Sequence, residues 1–319
     1  MFKEVFTREK MFELMQRRKV EAAMSSLEAT KYTVETITQP IKKLKELYIE
    51  TPLIESKTGR AFIIVPEGPL EAEASLIQEV IWERSRVMIP IKRDVEVEEA
   101  DLKSYHIILL GNMLNNKLIC DLYAKRFVFV DALYPGGGGY VVRTIHDPYG
   151  YGKNFILIGG SNEEGVMKGT QKFLSLLDAA GNMKLGYTIE VETPYLKDFG
   201  EPTKEFVDET MQRVMHLFVM GGSIAGISEG ILDGFKYYLT GDERWAELFK
   251  LVFMLYIDSV EKFGSWLLEH MTAPDFWTFQ LTNIWDLIEE SPVFTDDERL
   301  RMTNCLVGLL RYTSKVTHL

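Results

Sequence analysis

A histidine and an aspartate five residues apart, His270 and Asp275, stand in the segment Glu269–Trp277, which Pro274 interrupts between two apolar stretches. Imidazole exchanges a proton near neutral pH, and a carboxylate beside it can orient the ring. Trp266 and Trp277 flank the pair, and an indole presents a flat apolar face suited to the C–H face of a sugar ring. The pattern predicts catalytic roles for His270 and Asp275 and a substrate-binding role for Trp266 and Trp277. Helix-end capping and packing are the other use of the same residue types.

Other chemistry-bearing residues point to less. His106 sits in an apolar strand and His318 near the end of the sequence, while His216 shares a charged helical face with Glu209, Gln212 and Arg213. His146 opens the loop His146–Gly152, where it is expected to order a turn rather than to bind metal. Cys120 and Cys305 lie too far apart for a metal-ligand spacing, so no metal is expected. Pro135 and four glycines run into a strand instead of a Gly-Lys-Ser/Thr helix start. The turn Ile158–Gly165 lacks the Gly-x-Gly-x-x-Gly spacing, and Glu163 and Glu164 would repel a pyrophosphate. No nucleotide or other cofactor is implied.

The elements that position these residues fall into an N-terminal helical arm (1–52), an α/β domain (53–180), a linker rich in Gly and Pro (181–202) and an all-helical region (203–319). The arm reads as two helices parted at Gln39-Pro40, with Phe6, Phe12, Met15, Leu27, Leu44 and Leu47 as apolar contacts. Apolar runs predict strands at 61–65, 87–91, 105–110, 127–130, 140–145 and 155–158. Helices are expected near 70–84, 115–124 and 164–177. In the last region the pattern predicts helices over 203–219, 226–239, 243–262, 279–290 and 296–313. Gly241 should stop one of them, Asp242 should cap the next, and Thr295–Glu298 reads as a capping box.

Composition narrows the class. Of the 319 residues 46% are hydrophobic and 26% charged, which suits a folded chain with a sizeable core. No stretch has the roughly 18 apolar residues of a membrane span, so no membrane partner is expected. The first residues lack the apolar core of a secretory signal, which points to an intracellular chain unless its natural N-terminus lies upstream. Residues 1–60 carry 12 Lys/Arg against 9 Asp/Glu, and residues 181–319 carry 12 against 22. With no basic stripe to neutralise phosphates, nucleic acid is not an expected partner.

Two stretches carry a family resemblance. Residues 127–177, with Phe127–Val130, Gly139–Val142, Asn154–Gly160 and Gly165-Val166, resemble the end of the small α/β domain that precedes the catalytic part of family-20 hexosaminidases and related glycosidases. Tyr237-Tyr238-Leu239-Thr240-Gly241-Asp242-Glu243-Arg244-Trp245 is similar to the helix joint of (α/α) toroid enzymes, such as heparinase II/III-like and alginate lyases and unsaturated glucuronyl hydrolases. Leu281–Leu287 and Phe294–Arg299 fit the same style of joint. The resemblance implies an α+β chain, a small α/β sandwich followed by a toroid-like helical region that holds only part of the helices of a full toroid. It implies a carbohydrate-active protein that cleaves a polysaccharide or oligosaccharide by elimination or hydrolysis. The lyases' catalytic residues do not map onto this sequence one by one. A non-catalytic glycan- or protein-binding scaffold built on a helical bundle is the competing expectation.

Overall fold

The computed structural model describes residues 39–195, 199–219, 223–263 and 274–316. Its first half is organised by a six-stranded mixed sheet. Three strands at the centre, β4 (Ala61–Val65), β6 (His106–Gly111) and β8 (Phe155–Gly160), run parallel and are buried throughout. Their near-continuous apolar sequences are those of strands covered on both faces. The short β5 (Ile91–Arg93) extends the sheet beyond β4. On the other side β7 (Tyr140–Ile145) pairs antiparallel with β8, and β10 (Ile189–Glu192) pairs antiparallel with β7. The order is β10-β7-β8-β6-β4-β5.

The two-residue period of a strand divides the sheet's side chains cleanly between two cores. Ile63, Val65, Ile108, Leu110, Ile156 and Ile158 meet the helices α1 (Glu71–Ser85) and α4 (Glu163–Ala180) through Ala74, Ile77, Phe173 and Leu177. Phe62, Ile64, Ile107, Leu109, Phe155 and Leu157 meet Ile119 and Leu122 of α3 (Lys117–Ala124), together with Val128 and Val130. A short helix, α2 (Glu99–Ser104), precedes β6. The glycines of the 139–165 region serve backbone packing. A Cβ on Gly165 would come within 2.2 Å of the Gly139 carbonyl oxygen, and one on Gly160 within 2.6 Å of the Val166 nitrogen.

Among the described residues of the second half there are five helices: α5 (Lys204–Val219), α6 (Ser223–Thr240), α7 (Glu243–Phe263), α8 (Pro274–Ile288) and α9 (Asp296–Val316). They form two alternating layers. Helices α6 and α8 pack together on one side, and α5, α7 and α9 lie along the other. Phe249, Phe253, Trp285 and Phe294 interlock in their core, the Trp285 and Phe294 rings edge-to-face at 5.1 Å. Gly241 at φ +73° ends α6 with its N–H on the Tyr237 carbonyl at 2.8 Å, and the Asp242 carboxylate caps α7 through the Arg244 N–H at 3.1 Å. Thr295 and Glu298 form a reciprocal capping box at the start of α9, at 2.8 and 3.2 Å.

The structure corrects four expectations. Residues 39–49 of the arm are not helical; they cross the surface as an extended strap, while residues 1–38 lie outside the described residues. The span 181–202 is more than a linker. Within it β9 (Lys184–Gly186) pairs with β1 (Glu50–Pro52), and β10 completes the sheet edge. Residues 127–130 are extended without joining a ladder, because the Phe129 N–H is taken by the Tyr238 hydroxyl at 2.8 Å and the Val130 carbonyl by the Met113 N–H at 3.0 Å. Strand β5 begins only at Ile91, after Pro90. A small two-stranded hairpin, β2 (Ile54–Glu55) with β3 (Thr58–Gly59), was not evident in the sequence pattern.

The close backbone approach at the glycine turn gives a first test. Gly165→Ala should lose about 1–3 kcal/mol in denaturant unfolding, because backbone must move to admit the methyl group. Gly186→Ala, whose added Cβ meets nothing within 4 Å, should leave the midpoint unchanged.

Candidate functional site at the junction of sheet and helices

Of the four residues singled out in the sequence, Trp266 and His270 lie outside the described residues. Asp275 falls in the first turn of α8 rather than in a loop, since Pro274 opens that helix, where its missing N–H is harmless. Trp277 is half-buried and packs against the helical core. Among the described residues no group of His, Cys, Asp and Glu is arranged to hold a metal ion. No helix among them is long and apolar enough to cross a membrane. The polar chemistry gathers elsewhere, where the sheet meets the helices.

Arg143 of β7 reaches across this junction. Its guanidinium donates to the Tyr238 carbonyl near the C-terminal end of α6 at 2.7 Å and lies 3.9 Å from the centre of the Tyr238 ring. Tyr134, Tyr187 and Tyr237 complete its surroundings, and burial pushes the hydroxyls of Tyr187, Tyr237 and Tyr238 above the ordinary tyrosine value. They therefore act as neutral hydrogen-bonding groups. Tyr237 donates to Ser291 Oγ at 2.8 Å.

Beside this seam a cleft of about 270 Å³ opens between the strap, the 125–127 turn and the end of α8. Lys45, Lys125, Arg126, Phe127, Asp286, Glu289 and Glu290 line it. Glu290 ties three elements together. Its carboxylate accepts from Lys45 of the strap and from the His146 N–H at 3.0 Å, and it faces His146 Nδ1 at 3.3 Å. Lys45 also donates to the His146 carbonyl at 2.6 Å. The His146 ring is fully buried and stacks on Tyr187, with 5.3 Å between ring centres.

The three carboxyls of this helix end hold their protons differently. Burial raises Glu290, but the hydrogen bond from His146 and the charge of Lys45 outweigh it and keep the group below the ordinary glutamate value. Burial raises Glu289, with Arg299 only partly opposing it. Burial also raises Asp286 against the charge of Arg126. One turn of chain thus carries an acid that stays ionised beside two that hold their protons more tightly, the arrangement that divides acid from base roles. Asp286 makes no side-chain hydrogen bond among the described residues, and Arg126 is held nearby by Asn283. A polyol fits this lining: carboxyls accept from hydroxyls, cations donate to ring and hydroxyl oxygens, and Phe127 offers an apolar edge.

A second cleft of about 390 Å³ lies beside the α6–α7 joint, lined by Tyr187, Thr188, Glu190, Thr240, Asp242 and Glu243. The remaining described histidine of the sheet is structural. Burial lowers His106 to about 4, so it is neutral, and its Nδ1 accepts from the Asn154 N–H at 2.9 Å. No family model matches the chain, and no curated protein matches it.

The sequence reading missed Lys45, Asp286, Glu289 and Glu290. One signal was present: Asp286 and Glu290 are four residues apart at the polar end of an apolar helix that Pro292 closes. Nothing in the sequence indicated that Lys45 or His146 would meet them.

The opposed proton affinities have opposite signs in stability. Glu290 is depressed, so its contribution is present above the unfolded glutamate value and disappears as pH falls through its lower folded value. Glu290→Gln should therefore cost about 1–3 kcal/mol at pH 7 and progressively less below pH 4, as followed by denaturant midpoints. Glu289 is raised, so its ionised form opposes folding. Glu289→Gln should be at least as stable as the wild type at pH 7, and any gain should vanish as pH falls below about 4.

Proposed function

We propose that this chain is part of a carbohydrate-active protein, an α/β accessory domain joined to the leading hairpins of an (α/α) toroid, and that a sugar occupies the junction cleft. The observation that carries the reading is the gathering of three carboxyls at the end of α8 along one cleft, with burial raising Glu289 and Asp286 above their ordinary values beside a Glu290 held below its own. The two-layered alternation of α5 to α9 and the Thr240-Gly241-Asp242 joint are in keeping with the toroid resemblance.

Cleavage of a glycosidic bond by hydrolysis needs an acid to protonate the leaving oxygen and a carboxylate to assist at the anomeric carbon. Elimination needs instead a base at C5 and a cation on the uronate carboxylate. The raised carboxyls of the cleft favour the hydrolytic course, with Glu289 or Asp286 as the proton donor. A second reading, a glycan- or protein-binding scaffold without turnover, is favoured by the engagement of Glu290 with Lys45 and His146, which leaves that carboxylate committed to the fold.

The test is incubation of the full protein with neutral and uronate-containing oligosaccharides, read by reducing ends and by ultraviolet absorbance. New reducing ends without absorbance are expected, falling about 100-fold or more in the Asp286→Asn, Glu289→Gln double variant. An absorbing unsaturated product would reverse the choice of reaction. Binding without turnover would select the scaffold, and neither binding nor turnover would remove the carbohydrate reading.

A further inference from the structure

The Lys45 ammonium sits in a pocket suited to a cation. It donates to the His146 carbonyl oxygen at 2.6 Å and to Glu290 Oε1, and it lies 5.9 Å from the centre of the Phe127 ring. A carbonyl, a carboxylate and an aromatic face together are the groups that recognise an organic ammonium. Asp286 and Glu289 line the same cleft, and the charge of Lys45 reaches both.

The segment that delivers this lysine has little else to hold it. Asn304 of α9 accepts from the Ile41 N–H at 2.7 Å and donates to the Ile41 carbonyl at 2.9 Å. The next backbone tie is the Tyr48 carbonyl, which accepts from the Asn154 side-chain amide at 2.6 Å. Between these two anchors, among the described residues, the strap's hydrogen bonds are those of the Lys45 ammonium alone. Lys42, Lys43 and Glu46 are exposed, while Ile41, Leu44 and Leu47, three apart, are half-buried. A three-residue repeat without internal hydrogen bonds matches an extended polyproline-type segment, which can lift without unfolding what it crosses.

Glu290 does not depend on the lysine alone. Its Oε2 accepts from the His146 N–H at 3.0 Å and faces His146 Nδ1 at 3.3 Å, so the carboxylate stays placed when Lys45 leaves Oε1. The pocket can therefore exchange one ammonium for another. We propose that Lys45 is an internal occupant of an ammonium subsite, and that the amine of an amino sugar displaces it and lifts the strap from the cleft. The sugar part of this assignment rests on the carbohydrate reading; the ammonium part does not.

The test is calorimetric binding of glucosamine, glucose and methylammonium to the full chain at about pH 6, where the amine is protonated. Lys45→Ala vacates the pocket, and one charge-assisted hydrogen bond is worth about a factor of 10 in affinity. Lys45→Ala should bind glucosamine about 10-fold more tightly than glucose, and about 10-fold more tightly than the wild type does, where the tethered lysine competes. Adding Glu290→Gln should erase that preference. Equal binding of the two sugars by Lys45→Ala would overturn the proposal and leave the carbohydrate reading standing. Methylammonium bound no better by Lys45→Ala than by the wild type would overturn the subsite itself, whatever the sugars do. Methylammonium bound better with neither sugar bound would overturn the amino-sugar assignment together with the carbohydrate reading. As an independent measurement on the wild type, saturating glucosamine should speed trypsin cleavage at the strap lysines about 10-fold relative to glucose. An equal rate would overturn the displacement of the strap.

Discussion

The arrangement of this protein depends on one buried cation. Arg143 is 4% exposed, with no carboxylate beside it among its described hydrogen bonds, and an ionised group so placed is costly unless its donors are met. One donor is met at the C-terminal end of α6, where helical carbonyls lack partners and the helix dipole is negative, while the buried Nε has no partner among the described residues. The Tyr238 carbonyl accepts the guanidinium, the Tyr238 ring lies under it, and the neighbouring Tyr134 hydroxyl reaches the Leu239 carbonyl at 3.4 Å. The sheet thereby caps the helix. The fixed direction of the Tyr238 carbonyl helps set the orientation in which the helical layers meet the sheet.

That orientation brings the end of α8 against the 125–127 turn and His146, and the strap closes the remaining side. Glu290 has an ion-pair partner only because Lys45 crosses there, and its burial is tolerable only because His146 supplies an N–H. The same crowding half-buries Glu289 and packs protein around one side of the otherwise exposed Asp286; both lack equally close cations and so keep their protons more tightly. Structural anchoring and proton partition in the cleft have a common origin, the packing of three separate segments on one helix end. The tyrosines behind it stay neutral because their burial outweighs the charge of Arg143, which favours the phenolate.

Local signals were reliable wherever the determining contacts were local. The α6–α7 joint followed from Gly241 and Asp242, and the start of α9 from Thr295 and Glu298, because a positive φ and a capping box involve only neighbouring residues. The buried parallel strands followed from continuous apolar runs, with boundaries shifted by a residue or two. Signals failed where a remote partner decided the outcome. Residues 127–130 have the composition of a strand, yet Tyr238 and Met113 take their hydrogen bonds. Residues 189–192, Ile-Glu-Val-Glu in a stretch marked by Gly and Pro, become a strand because β7 offers an open edge.

By itself, the sequence determined the class of the fold: an alternating α/β half, five helices after it, and the caps and turns between them. Periodicity and turn chemistry act over a few residues, and a single sequence states them directly. Only the tertiary structure decided where the polar chemistry gathers. Lys45, His146 and Glu290 are separated by 101 and 144 residues, and no spacing rule links them. Their meeting follows from the docking of the helices on the sheet and the strap, and the proton affinities of the neighbouring carboxyls follow from the burial and the charges found there. Those are properties of distance and solvent access in three dimensions, and a linear pattern of residue types does not encode either one.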